Sequence, residues 1–94
     1  MTIVVAPKAR EDLREAYEYI ARETLDAADR VLARIVEVIG MLASGAVEGR
    51  EVTLRDGRRV QTWPVPPYRI YYRMRGEIFQ VVRVYHQARR PIER

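Results

Sequence analysis

The sequence predicts an α+β fold of two layers, in which an N-terminal strand and a helical hairpin pack on an antiparallel β-sheet. Three observations predict this class. Apolar residues recur with the helical period through the first half of the 94-residue chain. After Gly49 they alternate with polar residues, as in strands. The dipeptides Asp56-Gly57 and Arg75-Gly76 interrupt the alternating runs, as hairpin turns do. At this length we expect one domain, residues 1–94.

The N-terminal half begins with a short strand, TIVV at residues 2–5, and Pro7 suits the first position of a helix. A second helix is predicted to open near Asp26, whose carboxylate can cap it, and to end at Ser44-Gly45. Because few residues separate the helices, we expect an antiparallel hairpin. Its apolar faces are Leu13, Ala16, Tyr17 and Ile20 in the first helix, and Ala28, Val31, Leu32, Ile35, Val38, Ile39 and Leu42 in the second.

The second half predicts two β-hairpins. The first runs through EVTLRDGRRVQTW, with both residues of Asp56-Gly57 at positive φ, and the segment WPVPP then introduces an extended kink. The second hairpin joins a strand from Tyr68 to Arg75 to a strand from Glu77 to Tyr85. One face of the sheet should be apolar and receive the helices, and the other should carry arginine and tyrosine.

Charge is distributed unevenly along the chain. Residues 1–49 carry a net charge of −3 and residues 50–94 carry +7, which together give the overall +4. The positive half is purely arginine, whose planar fork suits phosphates and carboxylates. The chain has no cysteine and no apolar run long enough for a signal or membrane segment. We therefore expect a cytoplasmic protein that does not contact membranes.

The chemistry available to the chain is narrow. His86 is the single histidine, and without cysteine or a second histidine we expect no metal site and no cofactor. Arginine, tyrosine and histidine together suit phosphodiesters, so metal-free RNA cleavage is one interpretation. The alternative is structural, with the histidine and tyrosines as hydrogen-bonding or rim residues of the sheet. The candidates are His86, Tyr85 or Tyr71 for proton transfer, with Arg69, Arg83 and Arg89 at the phosphate.

Three motifs resemble the RelE/ParE superfamily of type II toxin–antitoxin toxins. They are A-x-x-D-L-x-x-A-x-x-Y-I from Ala9 to Ile20, P-Y-R-I-x-Y-R from Pro67 to Arg73, and V-x-R-V-x-H-x-A-R from Val81 to Arg89. The resemblance implies a toxin that forms an oligomeric complex with a cognate antitoxin. An acidic or amphipathic antitoxin segment would lie on the arginine-rich sheet face or in a groove beside the helical hairpin.

The superfamily contains two activities. RelE-like members cleave mRNA on the ribosome, and under that reading the catalytic residues would be Arg69, His86, Arg89 and Tyr85. The chain departs from that pattern, since it has no lysine after Lys8 and no tyrosine beyond Arg89. ParE-like members inhibit DNA gyrase without being enzymes, and the ending R-V-x-H-x-A-R favours this activity. An inactive, antitoxin-binding relative is the third hypothesis. Candidate residues for target or antitoxin binding are Arg58, Arg59, Tyr71, Arg83 and Arg90.

Overall fold

The computed structural model describes residues 1–94 as a helical hairpin on one face of a five-stranded sheet. This arrangement confirms the predicted α+β class. Neither helix combines the length and the apolar character that a membrane crossing requires. In chain order the elements are β1 (Thr2–Val5), α1 (Pro7–Ala21), α2 (Leu25–Ser44), β2 (Arg50–Thr53), β3 (Arg59–Val65), β4 (Tyr68–Arg75) and β5 (Ile78–His86).

The sheet is mixed rather than wholly antiparallel. Its strand order is β1-β5-β4-β3-β2, and β1 runs parallel to β5 while every other pair is antiparallel. The helical hairpin lies between β1 and β2 in sequence, so the chain leaves the sheet at one edge and returns at the other. As a result β5, the last strand, lies between β1 and β4.

The ends of α2 are set by local hydrogen bonds. Thr24, and not the predicted Asp26, is the N-cap, because its Oγ1 accepts the backbone N–H of Ala27 at 2.9 Å. Asp26 lies in the first turn instead and pairs with Arg30. The predicted end at Ser44-Gly45 is confirmed, since Gly45 caps the helix at φ 82°, a conformation that favours glycine.

The main core lies between the hairpin and the sheet. Ile70, Phe79 and Val81 are completely buried on the inner face of the sheet and belong to one apolar cluster with Ile35 and Val38 of α2. Each fully buried side chain of this size stabilises the fold by about 1.5–3 kcal/mol. Most residues of the predicted helical stripes supply the other layer of this core, whereas Tyr17, Ala28 and Leu32 lie outside this cluster.

A β-bulge in the β4–β5 pair breaks the predicted alternation of β5. Tyr71 lies opposite Arg83, but Tyr72 lies opposite Val81, so one residue of β5 is left over. Phe79 and Val81 therefore face the helices before the bulge, and Val84 faces them after it. The strict alternation expected over this strand was wrong, because the extra residue reverses which positions point inward.

Both predicted turns of the β2–β4 region differ in detail. No residue other than glycine has positive φ, so Asp56 does not share that conformation with Gly57. Asp56 instead accepts the Arg58 N–H at 3.0 Å through its side chain, which stabilises a longer turn. The proline segment does not form an extended kink. Pro66-Pro67 forms the tight turn between β3 and β4, with Val65 paired to Tyr68.

Candidate functional site

The segment that follows β5, residues 87–94, folds back across the sheet face opposite the helices, and we call it the strap. Near its start the Tyr85 hydroxyl donates to the Arg90 carbonyl at 2.7 Å. Near its end the strap pairs with the turn after β2, where the Arg55 N–H donates to the Ile92 carbonyl at 2.7 Å. The Arg94 N–H also donates to the Thr53 carbonyl at 2.9 Å. The strap thus reaches from β5 to the opposite side of the sheet.

A second, smaller core lies beneath the strap. Its buried residues come from four strands and the turn after β2, and Tyr85 and Ile92 pack against them. This face was predicted to carry arginine and tyrosine. Apolar side chains also lie on this face, because the bulge turns Val82 outward and because β2 and β3 contribute Val52 and Val60. The buried members are Val52, Leu54, Val60, Tyr71 and Val82.

Tyr71 anchors the strap from below. It is almost fully buried, and its hydroxyl donates to Glu93 Oε2 at 2.6 Å. Burial, together with this bond to the carboxylate, raises the pKa of the Tyr71 hydroxyl. Arg50 lies 3.7 Å from the other oxygen of Glu93. The hydroxyl of Tyr71, a predicted partner contact, is therefore used within the chain.

The four residues predicted to be catalytic in an RNA-cleaving reading line one cleft. Arg69, Tyr85, His86 and Arg89 meet where the strap leaves β5, around a cleft of about 610 Å³. Arg69 is held in place because its Nη1 donates to the buried Thr62 Oγ1 at 3.0 Å. The structure thus gathers residues that are up to twenty positions apart in the sequence, because β4 and β5 are neighbours in the sheet and the strap continues from β5.

His86 has a local structural role at the end of β5. Its Nδ1 accepts the Ala88 N–H at 3.0 Å, which stabilises the turn that starts the strap. Its ring packs edge-on against Tyr68, with centroids 5.1 Å apart. Because β4 and β5 pair through Tyr68 and His86 at their ends, the histidine marks the point where the sheet stops and the strap begins.

Arg83 forms a buried ion pair that no local sequence pattern predicts. Its Nε and Nη2 donate to the two carboxylate oxygens of Asp12 on α1, at 2.7 and 2.9 Å. The same carboxylate accepts the Val84 N–H at 3.1 Å, on a part of β5 beyond its pairing with β1. Hydrogen bonding to Asp12 raises the pKa of the Arg83 guanidinium. The guanidinium predicted to contact a partner is thus bound by Asp12.

The other predicted binding residues lie apart from the cleft. Arg58 pairs with Asp56 at 2.8 Å and Arg59 with Glu51 at 2.6 Å, both at the surface around the β2–β3 turn. Arg90 is exposed on the strap. Each of these arginines could meet a partner at the surface, and their assignment remains a prediction.

Two groups of site residues were not among the predicted catalytic or binding residues. Arg55 and Arg94 line the cleft, and Glu93 anchors the strap. Asp12 lies in the N-terminal motif, but a motif alone does not reveal that its carboxylate reaches β5. No local periodicity marks any of these residues, because each contact joins segments far apart in the chain.

A second concavity, of about 470 Å³, lies beside α1 and the end of β5. Tyr19 is 66% exposed there, and the Arg22 guanidinium lies 6.0 Å from the centre of its ring. Glu15 and Glu18 border the groove from the α1 side, and His86 lies between this groove and the cleft. A groove beside the helical hairpin was one of the two surfaces expected to receive an antitoxin segment, and that assignment stays a prediction.

Comparisons with known proteins identify the chain's relatives. A family model described as the ParE toxin of the type II toxin–antitoxin system parDE matches residues 3–91. A solved structure described as the chromosomal ParDE TA system from P. aeruginosa superposes with a TM-score of 0.74 at 23% identity. The match covers 92% of this chain and 95% of that one, and at this identity it establishes the fold. Curated protein sequences contain no significant match.

Proposed function

This chain belongs to the ParE toxin family of type II toxin–antitoxin systems, and from that premise we propose that it inhibits DNA gyrase in the cytoplasm by binding it. One observation carries the choice of binding over hydrolysis. The side chains that could transfer protons in the cleft hold the strap in position: the Tyr85 hydroxyl donates to the Arg90 carbonyl, and His86 Nδ1 accepts the Ala88 N–H. A rigid binding surface can contain groups that are held in structural hydrogen bonds. Proton transfer instead needs a group that is free to reach the substrate.

Tyr71 also supports a binding function over proton transfer. A tyrosine that transfers protons near neutral pH needs a lowered pKa, and burial raises the pKa of this one. Its hydroxyl is also directed at Glu93 and not into open solvent. The outer face of the sheet is therefore organised as a packed platform under the strap, with arginines at its rim.

Membership in a toxin–antitoxin family implies an antitoxin partner. We propose that the antitoxin covers the groove beside α1, where the exposed ring of Tyr19 offers apolar area. Segments that fold on their target can follow such a groove and continue over a basic rim. The +7 charge of residues 50–94 favours an acidic antitoxin segment on that side.

The RelE-like alternative, ribosome-dependent mRNA cleavage, rests on a separate observation. The cleft brings Arg69, Tyr85, His86 and Arg89 together, as that activity would require. Under this alternative the strap would have to release its hydrogen bonds to Tyr85 and His86 before either could transfer a proton. A third candidate, an inactive antitoxin-binding relative, would cause no growth arrest when expressed.

The test uses purified, antitoxin-free protein in two parallel assays. Gyrase supercoiling is measured with detection of cleavage complexes, and mRNA ends are mapped in a translation extract. We expect gyrase inhibition with intact mRNA. Ribosome-dependent cuts without an effect on gyrase would overturn the proposal, and so would inactivity in both assays.

His86→Gln separates the two activities further. Because His86 acts here through its Nδ1 bond at the strap's turn, we expect the folded variant to retain growth arrest on expression. Arg75→Ala, at the far end of the β4–β5 hairpin, is a control outside the cleft. Loss of toxicity in a folded His86→Gln variant, with toxicity kept in the control, would favour the cleaving alternative.

A further inference from the structure

Four arginines around the cleft have no acidic partner. Seven arginines elsewhere on the chain form ion pairs with carboxylates. Arg55, Arg69, Arg89 and Arg94 form none, yet all four line the same cleft. Gathering unpaired guanidinium groups costs electrostatic free energy through their mutual repulsion, and an anion between them would reverse that cost.

Two of these arginines are already oriented. Arg69 is fixed by its hydrogen bond to Thr62, a side chain that is only 2% exposed. Arg89 lies over the ring of Tyr85, with its guanidinium carbon 5.0 Å from the ring centre. An arginine held in this way loses less rotamer entropy when it binds an anion than a free one does.

The acidic residue of the cleft does not neutralise them. One oxygen of Glu93 accepts the Tyr71 hydroxyl at 2.6 Å, and the other lies 3.7 Å from Arg50 at the sheet edge. These contacts hold its carboxylate at the base of the strap, away from any ion pair with the four arginines. The backbone of Glu93 is itself held in place, because it pairs with Leu54 in the turn after β2.

We propose that this cleft binds a phosphate group of a nucleic-acid backbone without cleaving it. A phosphodiester offers two charged oxygens, which suits arginine forks approaching from several sides. The guanidinium carbons of Arg83 and Arg89 both lie over the Tyr85 ring, 5.0 Å from its centre, so a base would have to compete with them to stack on that ring. Contact with the backbone alone makes binding independent of base sequence. The binding rests on the cleft and is measured without gyrase or the ribosome, whereas the absence of cleavage rests on the proposed function.

The test measures binding of the antitoxin-free chain to a short labelled duplex DNA and to a single-stranded RNA of the same length, by fluorescence anisotropy across a salt series. Losing one phosphate contact on duplex DNA should weaken binding about eightfold at roughly 0.1 M salt and flatten the salt slope by about 0.9. We expect this loss for Arg89→Ala. The double variant Arg55→Ala/Arg94→Ala, which leaves Arg69 and its buried partner intact, should lose still more.

Matched controls remove the same charge elsewhere. Arg75→Ala and the double variant Arg10→Ala/Arg75→Ala also remove arginines that pair with no carboxylate, at sites outside the cleft. We expect them to bind within about twofold of the parent chain, given that distant charges are screened at this salt. Circular dichroism of every variant verifies folding.

Competition identifies the chemistry of the ligand. Inorganic phosphate should displace the nucleic acid more effectively than chloride at equal ionic strength, and the stronger of the two nucleic-acid arms identifies the source of the phosphate. Equal losses in the cleft and control variants would overturn the proposal, because binding would then follow net charge alone. Displacement by polyglutamate but not by phosphate would also overturn it, and would assign the cleft to an acidic peptide.

Discussion

Substituting Asp12 by alanine should destabilise the protein more than its position on a surface helix suggests. The carboxylate accepts two bonds from Arg83 and one from the Val84 N–H, and its side chain is only 3% exposed. Without it, the guanidinium and a backbone N–H both remain poorly solvated and unpaired. Leaving a buried charge and a buried N–H donor unpaired is one of the few ways in which a single substitution strongly lowers the free energy of unfolding.

The loss of unfolding free energy in Asp12→Ala can be estimated from the burial of the ion pair. Removing one partner of a buried ion pair typically costs about 3–5 kcal/mol. The Arg83 side chain retains 16% exposure, so water can partly solvate it and we expect the lower end, about 3 kcal/mol. For a chain of this size that corresponds to a fall in Tm of roughly 12–24 °C.

Urea unfolding followed by circular dichroism measures the free energy of unfolding directly. Glu11→Ala is the control, because Glu11 is the neighbouring carboxylate on α1 and pairs only with the exposed Lys8. The unfolding midpoint of this control variant should stay close to that of the parent chain. A double-mutant cycle with Arg83→Ala should give a coupling energy of about 2 kcal/mol. An Asp12→Ala variant that unfolds at the same midpoint as the control would refute the reasoning.

Further predictions concern backbone geometry, capping and titration. Gly49→Ala would place Cβ 2.3 Å from the Thr62 carbonyl oxygen and should cost about 3 kcal/mol, whereas Gly40→Ala meets nothing and should gain about 0.5–1 kcal/mol. Urea midpoints that move in the same direction for both would contradict this. Thr24→Ala removes the α2 cap and should cost about 1 kcal/mol in the same assay. Because the folded-state pKa of Tyr71 is raised, its stabilising contribution is complete below the unfolded pKa of about 10 and is lost as pH rises above it. Tyr71→Phe should flatten the alkaline fall in stability, and an unchanged pH profile would argue against this cause.

Much of the fold follows from local patterns. The strand Tyr68–Arg75 and the end of α2 at Gly45 have the predicted bounds, because alternation and glycine capping depend on residues close together in the chain. The N-cap was misplaced by two residues, since Thr24 and Asp26 are both good capping residues and only the backbone conformation at Thr24 selects between them. The meeting of Arg69 and His86 could also be expected, because they lie at neighbouring ends of the two strands of one hairpin, whereas Arg89 joins them from the strap.

The two layers, the order of the elements, the charge asymmetry and the motifs shared with relatives can be predicted from the sequence. The parallel pairing of β1 with β5, the bulge that turns Val82 outward and the course of the strap over Tyr71 become visible only in the folded chain. The physical reason is distance along the chain. Helical and strand periods arise among neighbouring residues, whereas the bond from Asp12 to Arg83 joins positions 71 residues apart. Such a contact exists only once the whole topology has formed.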